Sequence, residues 1–328
     1  MIVISKKTGQ LGNRLFNFAN FIGYGESNKV KVLNPSFDEY AEYFEGTSST
    51  PLIYYPKKRY IPGFLNTPKL RHIAFRLASS YASRWIKKRG LEKKYIVSCP
   101  DNEFSMLNLD DQMKEKVRSN SMTFVSGLNF RDIPSIKEHI KKIRDYFRPL
   151  KHHRDNIAKV VDNARAQCDV LVGVHIRQGD YANHLDGRYF FSNDDFISMM
   201  RQVKSLFPQK RVGFLLCSDA KIDHHIFDEF SCFYGPNHVV EDMYTLAECD
   251  YIIGPPSTYS LWACLYGDKK LYVVQNPKDV ITEETFRDYF SIVGSMKILK
   301  RPDNSEYVVI NGAEYNLSCI TGLDSVPI

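Results

Sequence analysis

Asp169-Val170-Leu171-Val172-Gly173-Val174-His175-Ile176-Arg177-Gln178-Gly179-Asp180-Tyr181 starts as an aliphatic run and ends in polar groups of different chemistry. Val170, Leu171 and Val172 have the continuous apolar character of a strand covered on both faces of a parallel sheet. Beyond Gly173 the pattern alternates. Val174 and Ile176 then face one side of the sheet, His175 and Arg177 the other. In open α/β sheets the ligand crevice lies beyond the carboxyl ends of the strands, which places this imidazole and guanidinium at its edge. Arg177 is suited to an anion, because its planar fork matches phosphate oxygens and stays protonated. Gly179 permits a tight turn, and Asp180 can brace Arg177 or that turn. Taken alone, the run also reads as a capped strand end with a surface ion pair.

The chain has 328 residues, 43% hydrophobic and 25% charged, which suits two soluble α/β domains with their own cores. No apolar run approaches membrane length. Met1 to Ser5 followed by Lys6-Lys7 is a strand pattern without the features of a signal peptide, so a cytoplasmic location is expected. The seven cysteines form no C-x-x-C pair, and Cys217, Cys249 and Cys264 read as reduced core thiols. His152-His153 and His224-His225 are adjacent pairs without a helical ligand spacing, so no zinc site is expected. The net charge of +6 favours anionic ligands or surfaces. It is concentrated between Lys57 and Lys94, where twelve Lys or Arg stand against one acid, Glu92. This run lacks a nucleic-acid motif, so no nucleic-acid partner is expected.

Along the chain, Ile2-Val3-Ile4 reads as a first strand. It is followed by the glycine loop Gly9-Gln10-Leu11-Gly12-Asn13, a helix from Leu15 to Gly23 and a strand over Val30 to Leu33. The loop matches neither G-x-G-x-x-G nor G-x-x-x-x-G-K, which removes support for dinucleotide or ATP binding. Residues 34–66 read as irregular loops. Pro68 to Arg89 reads as a basic amphipathic helix, which suits either a membrane surface or a helix packed on its own core with a solvated basic face. Met122 to Val125 is a strand, and Ile136, Ile140, Ile143 and Phe147 mark a helix from near Ser135. The expected domains are 1–150 and 151–300, with 301–328 a short strand and tail.

The second half offers further polar groups at element ends. A helix capped near Ser192 or Asn193 is followed by the strand Val212 to Cys217, which ends in Ser218-Asp219. Val239-Val240 leads to Glu241-Asp242, read as a third strand end. Tyr251-Ile252-Ile253-Gly254 runs into Pro255-Pro256-Ser257-Thr258-Tyr259, whose Ser/Thr cluster opens a helix and so supplies free N–H groups and a dipole for an anion. The bland reading of Ser257 is a helix cap. Together these groups suit a nucleoside diphosphate. Arg177 and the helix N-terminus would hold phosphates, and Asp242 could accept the N–H donors of guanine.

With these motifs in place, the chain resembles the α-1,2-fucosyltransferases of glycosyltransferase family 11 and, more distantly, the α-1,6 and protein O-fucosyltransferases. His175-Ile176-Arg177-Gln178-Gly179-Asp180-Tyr181 is similar to their H-x-R-R-x-D motif, Asp242 to the guanine carboxylate, and Pro256-Ser257-Thr258-Tyr259 to the phosphate loop. Gly9-Gln10-Leu11-Gly12-Asn13 resembles the N-terminal loop facing the transferred sugar. The resemblance implies a GT-B fold of two Rossmann-like domains facing across a cleft, with 1–150 on the acceptor side and 151–300 on the donor side. It implies transfer of L-fucose from GDP-fucose, with inversion, to a glycan hydroxyl, α-1,2 to galactose, in surface-polysaccharide or glycan synthesis. The catalytic set so implied is Arg177, Asp180 and Asn13; the donor-binding set is His175, Arg177, Asp219, Asp242, Ser257, Thr258 and Tyr259. Gln178 replaces the second Arg, and Ala182-Asn183-His184-Leu185 lacks the acid proposed as base in α-1,6 enzymes, so the base is unassigned. No D-x-D occurs among the 23 aspartates, so no cofactor and no divalent metal are expected. The expected partners are GDP-fucose and a glycan, soluble or lipid-linked, with peripheral membrane contact through 68–89. Rival readings are a transferase for another sugar nucleotide and a non-catalytic glycan- or membrane-binding protein.

Overall fold

A computed structural model describes residues 1–57, 66–98, 107–108, 111–127, 130–183, 187–294, 297–300, 306–310 and 313–316. The chain divides into two compact units, Met1–Leu150 and Lys151–Ile328. The N-terminal unit contains β1 (Ile2–Ile4), α1 (Leu11–Asn28), β2 (Val32–Leu33), β3 (Tyr54–Tyr55), α2 (Pro68–Ser80), α3 (Glu92–Tyr95) and β4 (Ile96–Ser98). It continues with β5 (Leu107–Asn108), α4 (Asp111–Ser119), β6 (Thr123–Ser126), β7 (Phe130–Arg131) and α5 (Ile133–Tyr146). Its main sheet has the order β3-β2-β1-β6-β4 and is parallel except at the β3 edge. All three residues of β1 are buried, as a strand in the middle of a covered parallel sheet requires.

Residues 34–55 are more ordered than their composition suggests. Short 3₁₀ turns at Pro35–Phe37 and Ala41–Tyr43 bring Phe37 and Phe44 into a ring cluster with Phe18 and Phe147, at centroid distances of 5.6–5.9 Å. The reading as loop therefore holds for much of the backbone but misses β3 and this packing. Residues 58–65, at the end of the same stretch, lie outside the described residues. After α2 a π turn runs over Tyr81–Ile86. Thr67 caps α2 by accepting from Leu70 N–H, and Pro68 occupies the first turn, where its missing N–H costs nothing.

The C-terminal unit contains α6 (Lys151–Arg165), β8 (Val170–Ile176), α7 (Asn193–Leu206), β9 (Val212–Ser218), β10 (Ser231–Tyr234), α8 (Val239–Glu248) and β11 (Tyr251–Gly254). It ends with α9 (Thr258–Gly267), β12 (Lys270–Val273), α10 (Tyr289–Gly294), β13 (Lys297–Lys300), β14 (Glu306–Ile310) and β15 (Ala313–Asn316). Five strands form one fully parallel sheet in the order β10-β9-β8-β11-β12. Val172, Val174 and Ile176 of β8 share a buried apolar cluster with Met199, Met200, Phe214 and Leu216. The apolar face of β8 is thus anchored in the core.

Two expectations are corrected. Asp242 does not follow a strand: the third strand is β10, and Asp242 lies in the first turn of α8, capped by His238. The segment 301–328 holds more than one short strand, since β14 and β15 pair antiparallel within it and β14 pairs with β13 just before it.

Candidate active site

Taken in chain order, the parallel strands of the C-terminal unit run 3-2-1-4-5, so the winding reverses between β8 and β11. Such a switch point opens a crevice at the carboxyl ends of its two strands. His175 and Arg177 stand at the end of β8, and Pro255 to Tyr259 leave the end of β11. Tyr181 links the two loops, donating its hydroxyl to Pro256 O at 2.6 Å.

Arg177 is held rather than loose. Its Nε donates to Asp180 Oδ1 at 2.9 Å and its Nη2 to Asp180 Oδ2 at 2.7 Å, while the guanidinium lies 4.9 Å from the centroid of the Tyr181 ring. Burial works against its charge, but the pairing with Asp180 more than offsets this and raises its pKa. This arrangement leaves Nη1 without a partner among the described residues, a donor edge on a pre-oriented fork. Asp219, just beyond β9, accepts from the N–H groups of Gln178 (2.9 Å) and Gly179 (3.2 Å), which fixes the backbone directly after Arg177. Gln178 turns away from Arg177. Its Nε2 donates to Phe191 O and Asn193 Oδ1, tying the loop to the start of α7, where Ser192 and Asp195 form a capping box.

A second group of residues forms a more enclosed corner. His175 is buried, and its ring lies 4.9 Å from that of Tyr259. Burial, with Arg177 nearby, pushes its pKa down to about 3, so the ring is neutral at physiological pH. Its Nδ1 has no hydrogen-bond partner among the described residues. Asp242 is also buried and accepts from Asn237 N–H at 2.9 Å. Burial raises its pKa to about 6 despite the backbone donors of His238 and Asn237. A side chain at Gly235 would place its Cβ 2.6 Å from Asp242 Oδ1 and 2.8 Å from Cys217 Sγ, so only glycine fits against this carboxylate.

The turn after β11 supplies the third part. Ser257 caps α9, its Oγ accepting from Tyr259 N–H at 3.2 Å, and Thr258 is the first helical residue. Tyr259 donates its hydroxyl to Val239 O at 2.8 Å, binding the start of α9 to that of α8. The remaining first-turn N–H groups and the helix dipole suit an anion at this end.

Asn13 belongs to the N-terminal unit. Gly9 has φ +58°, and a Cβ there would lie 2.1 Å from Asn13 Nδ2, so the loop folds closely over the Asn13 side chain. No side chain caps α1 at Gln10.

Among the described residues, His153, His238 and Glu241 bring ligand-type atoms within 4.8 Å of one another. Their bonding describes a clamp between α6 and α8. His153 Nδ1 donates to Glu241 Oε1 at 2.7 Å, Asn156 donates to the same oxygen at 2.9 Å, and His238 Nδ1 accepts from Val240 and Glu241 N–H. The His153 and His238 rings stack at 5.0 Å rather than converging on a point.

The structure therefore gathers His175, Arg177, Asp180 and Asp219 with Ser257, Thr258 and Tyr259 around one switch point, and Asp242 near Tyr259 and Cys217 through α8. Sequence reasoning gave no part to Tyr181, Gly235 or Asn237. Tyr-Gly-Pro-Asn at 234–237, a turn signal just ahead of Asp242, was the available hint. His184 lies outside the described residues.

Two Rossmann-like α/β units, the second with polar loops at its switch point, define a glycosyltransferase fold of the GT-B type. The profile of glycosyl transferase family 11 matches residues 85–288, and the chain belongs to that family. The match does not extend to the Gly9 to Asn13 loop. An Escherichia coli alpha-1,2-colitosyltransferase is 25% identical over 284 residues, 80% of this chain and 86% of that protein. Among solved structures, an Arabidopsis thaliana FUT1 variant in complex with GDP superposes with a TM-score of 0.55 at 13% identity, over 88% of this chain and 73% of that one. NodZ alpha-1,6-fucosyltransferase from Bradyrhizobium, co-crystallised with GDP, gives a TM-score of 0.51 at 17% identity, over 88% and 98%.

Proposed function

We propose that the chain transfers L-fucose from GDP-fucose to a hydroxyl of a glycan, in α-1,2 linkage to galactose, by single displacement with inversion. The observation that carries this reading is the Arg177 fork, pre-oriented by Asp180 and Tyr181 at the switch point beside the start of α9. Arg177 and the first-turn N–H groups of α9 bind the diphosphate and stabilise the charge that grows on it as the sugar C1–O bond breaks. Asp242 accepts the N1–H and N2–H₂ donors of guanine, with Tyr259 nearby. The acceptor oxygen forms the new bond to C1 and gives up its proton, and GDP departs with the bonding electron pair. Asp180 is committed to Arg177 by two bonds, so its part is to hold the fork, and the proton passes to solvent or to a group on the acceptor side. Asn13, placed against Gly9, orients the sugar or acceptor. Transfer needs no divalent metal, because Arg177 and the α9 terminus supply the positive charge that a metal bound through a D-x-D would bring.

One alternative donor has a specific observation behind it. Colitose is L-fucose without its 3-hydroxyl, and the E. coli relative carries the name of a colitosyltransferase. Incubating the purified chain with GDP-fucose, GDP-colitose and UDP-sugars over a panel of galactosides separates the readings. Transfer from GDP-fucose giving an α-linked product by NMR is the expected result. Preference for GDP-colitose would change the sugar, a β-linked product would refute inversion, and turnover only with UDP-sugars would refute the guanine assignment.

A further inference from the structure

The rows of α2 and the π turn after it face in two directions. Ala82 and Ile86 are buried against Val3, Ile96 and Phe124, with Ala78 packed at the edge of that cluster. The neighbouring row, Ile73, Leu77, Tyr81 and Trp85, is solvent-exposed at 50%, 67%, 40% and 41%, with the Tyr81 ring also lying 5.6 Å from that of Phe124. Isolated exposed apolar side chains are ordinary; four large ones in a continuous row are not. A spacing of four advances by about 40° per step around an α-helix. The wider π turn over Tyr81–Ile86 reverses that drift and keeps Trp85 in line. Tyr81 and Trp85 stack at 4.9 Å with planes 16° apart, and the Arg89 guanidinium lies 4.1 Å from the Trp85 centroid.

The charges carried by the segment itself are almost all of one sign. Along residues 66–94, Lys69, Arg76, Arg84, Lys87, Lys88, Arg89, Lys93 and Lys94 are all exposed against the single exposed acid Glu92, while Asp38 and Glu42 approach α2 at Arg71 and His72. A second copy docking face to face through the same patch would set these cations against each other. An anionic surface complements them, and an apolar row edged by Tyr, Trp and Arg is the composition that settles into the headgroup layer of a bilayer.

We propose that this face of the N-terminal unit docks on an anionic lipid bilayer. Ile73, Leu77, Tyr81 and Trp85 enter the headgroup layer, and the flanking cations meet lipid phosphates. The inference is independent of which sugar is transferred and to what.

The test uses the full chain with extruded vesicles of phosphatidylcholine, with or without phosphatidylglycerol, read by co-sedimentation and tryptophan emission. The chain has two tryptophans, and Trp262 is buried in the other unit, so a change in emission reports Trp85. The expected result is binding to the anionic vesicles alone, weakened by salt, with a blue shift that Trp85→Phe removes. At about fivefold per cation, combined Arg84→Glu, Lys87→Glu and Lys88→Glu should weaken binding by about 100-fold or more. Combined Ile73→Ser and Leu77→Ser should weaken it by about tenfold or more. Thermal unfolding of each variant should match the parent, since these side chains are exposed. Failure to bind anionic vesicles, or binding that survives both sets of substitutions, would overturn the proposal. Loss on charge reversal with no effect of Ile73→Ser and Leu77→Ser would reduce the contact to ionic adsorption and overturn the inserted row. Self-association that Leu77→Ser abolishes, without vesicle binding, would assign the face to a second copy instead.

Discussion

Asp242 gives the most quantitative test of the guanine assignment. Burial raises its pKa from the ordinary aspartate value to about 6, so charging it in the empty site costs about 3 kcal/mol. That penalty is maintained by a close-packed wall, with Gly235 too near to carry a side chain. Guanine N–H donors require the ionised form. Recognition should therefore be complete well above pH 6 and be lost as the pH falls through it; at pH 5, with only about a tenth of the carboxylate charged, affinity should fall about tenfold. The empty protein should show the opposite trend, losing stability as the pH rises from the ordinary aspartate range to about 6. Asp242→Asn removes the charge and turns an amide donor toward guanine donors, which should cost about 2 to 4 kcal/mol of GDP affinity. The assay is calorimetric titration with GDP and ADP at pH 5 and 7.5. ADP carries the same diphosphate, so the ratio of the two constants cancels phosphate titration. A GDP-to-ADP preference that is the same at both pH values, or that survives Asp242→Asn, would refute the assignment. His175 does not confuse the measurement, because its pKa of about 3 keeps it neutral throughout.

Other expectations follow from single contacts. Gly9→Ala forces a Cβ against Asn13 Nδ2 at positive φ, and should cost about 1 to 2 kcal/mol of stability and most of the transfer rate; thermal unfolding and initial rates measure both. Glu241→Ala removes the acceptor of the His153 and Asn156 hydrogen bonds and should lower stability by about 1 to 3 kcal/mol, read by urea unfolding, whereas Glu241→Gln should lose less. Transfer should proceed unchanged in EDTA; loss that Mg²⁺ or Mn²⁺ restores would show that Arg177 and α9 do not suffice for the leaving diphosphate.

The parallel architecture was legible because β8 and β9 are aliphatic runs that end abruptly in polar residues, and because the helix between them carries its own cap signal at Ser192. Edge elements were less legible. β10 is only four residues of mixed character, so its signal was too weak to move the strand assignment away from Val239-Val240, which begin a helix capped by a histidine. β3 was hidden in a Pro- and Tyr-rich stretch whose order comes from rings packing on Phe18, a tertiary effect without local periodicity. At the candidate site, residue types and their order along the chain could be read directly. Bonding could not: nothing local shows that Gln178 would turn toward α7, that Asp219 would hold the backbone after Arg177, or that Tyr181 would join the β8 loop to Pro256.

The central claim is that the Arg177 fork stabilises a departing GDP, and the transfer rate of Arg177→Ala and Arg177→Lys with GDP-fucose tests it most directly. Deoxyhexosyl product is counted by mass under saturating donor. With folding unchanged by circular dichroism, Arg177→Ala should lose at least about 100-fold in kcat, and Arg177→Lys, a point charge without the fork, should recover little of it. Retention of most of the rate in Arg177→Ala, or full recovery with lysine, would contradict the claim.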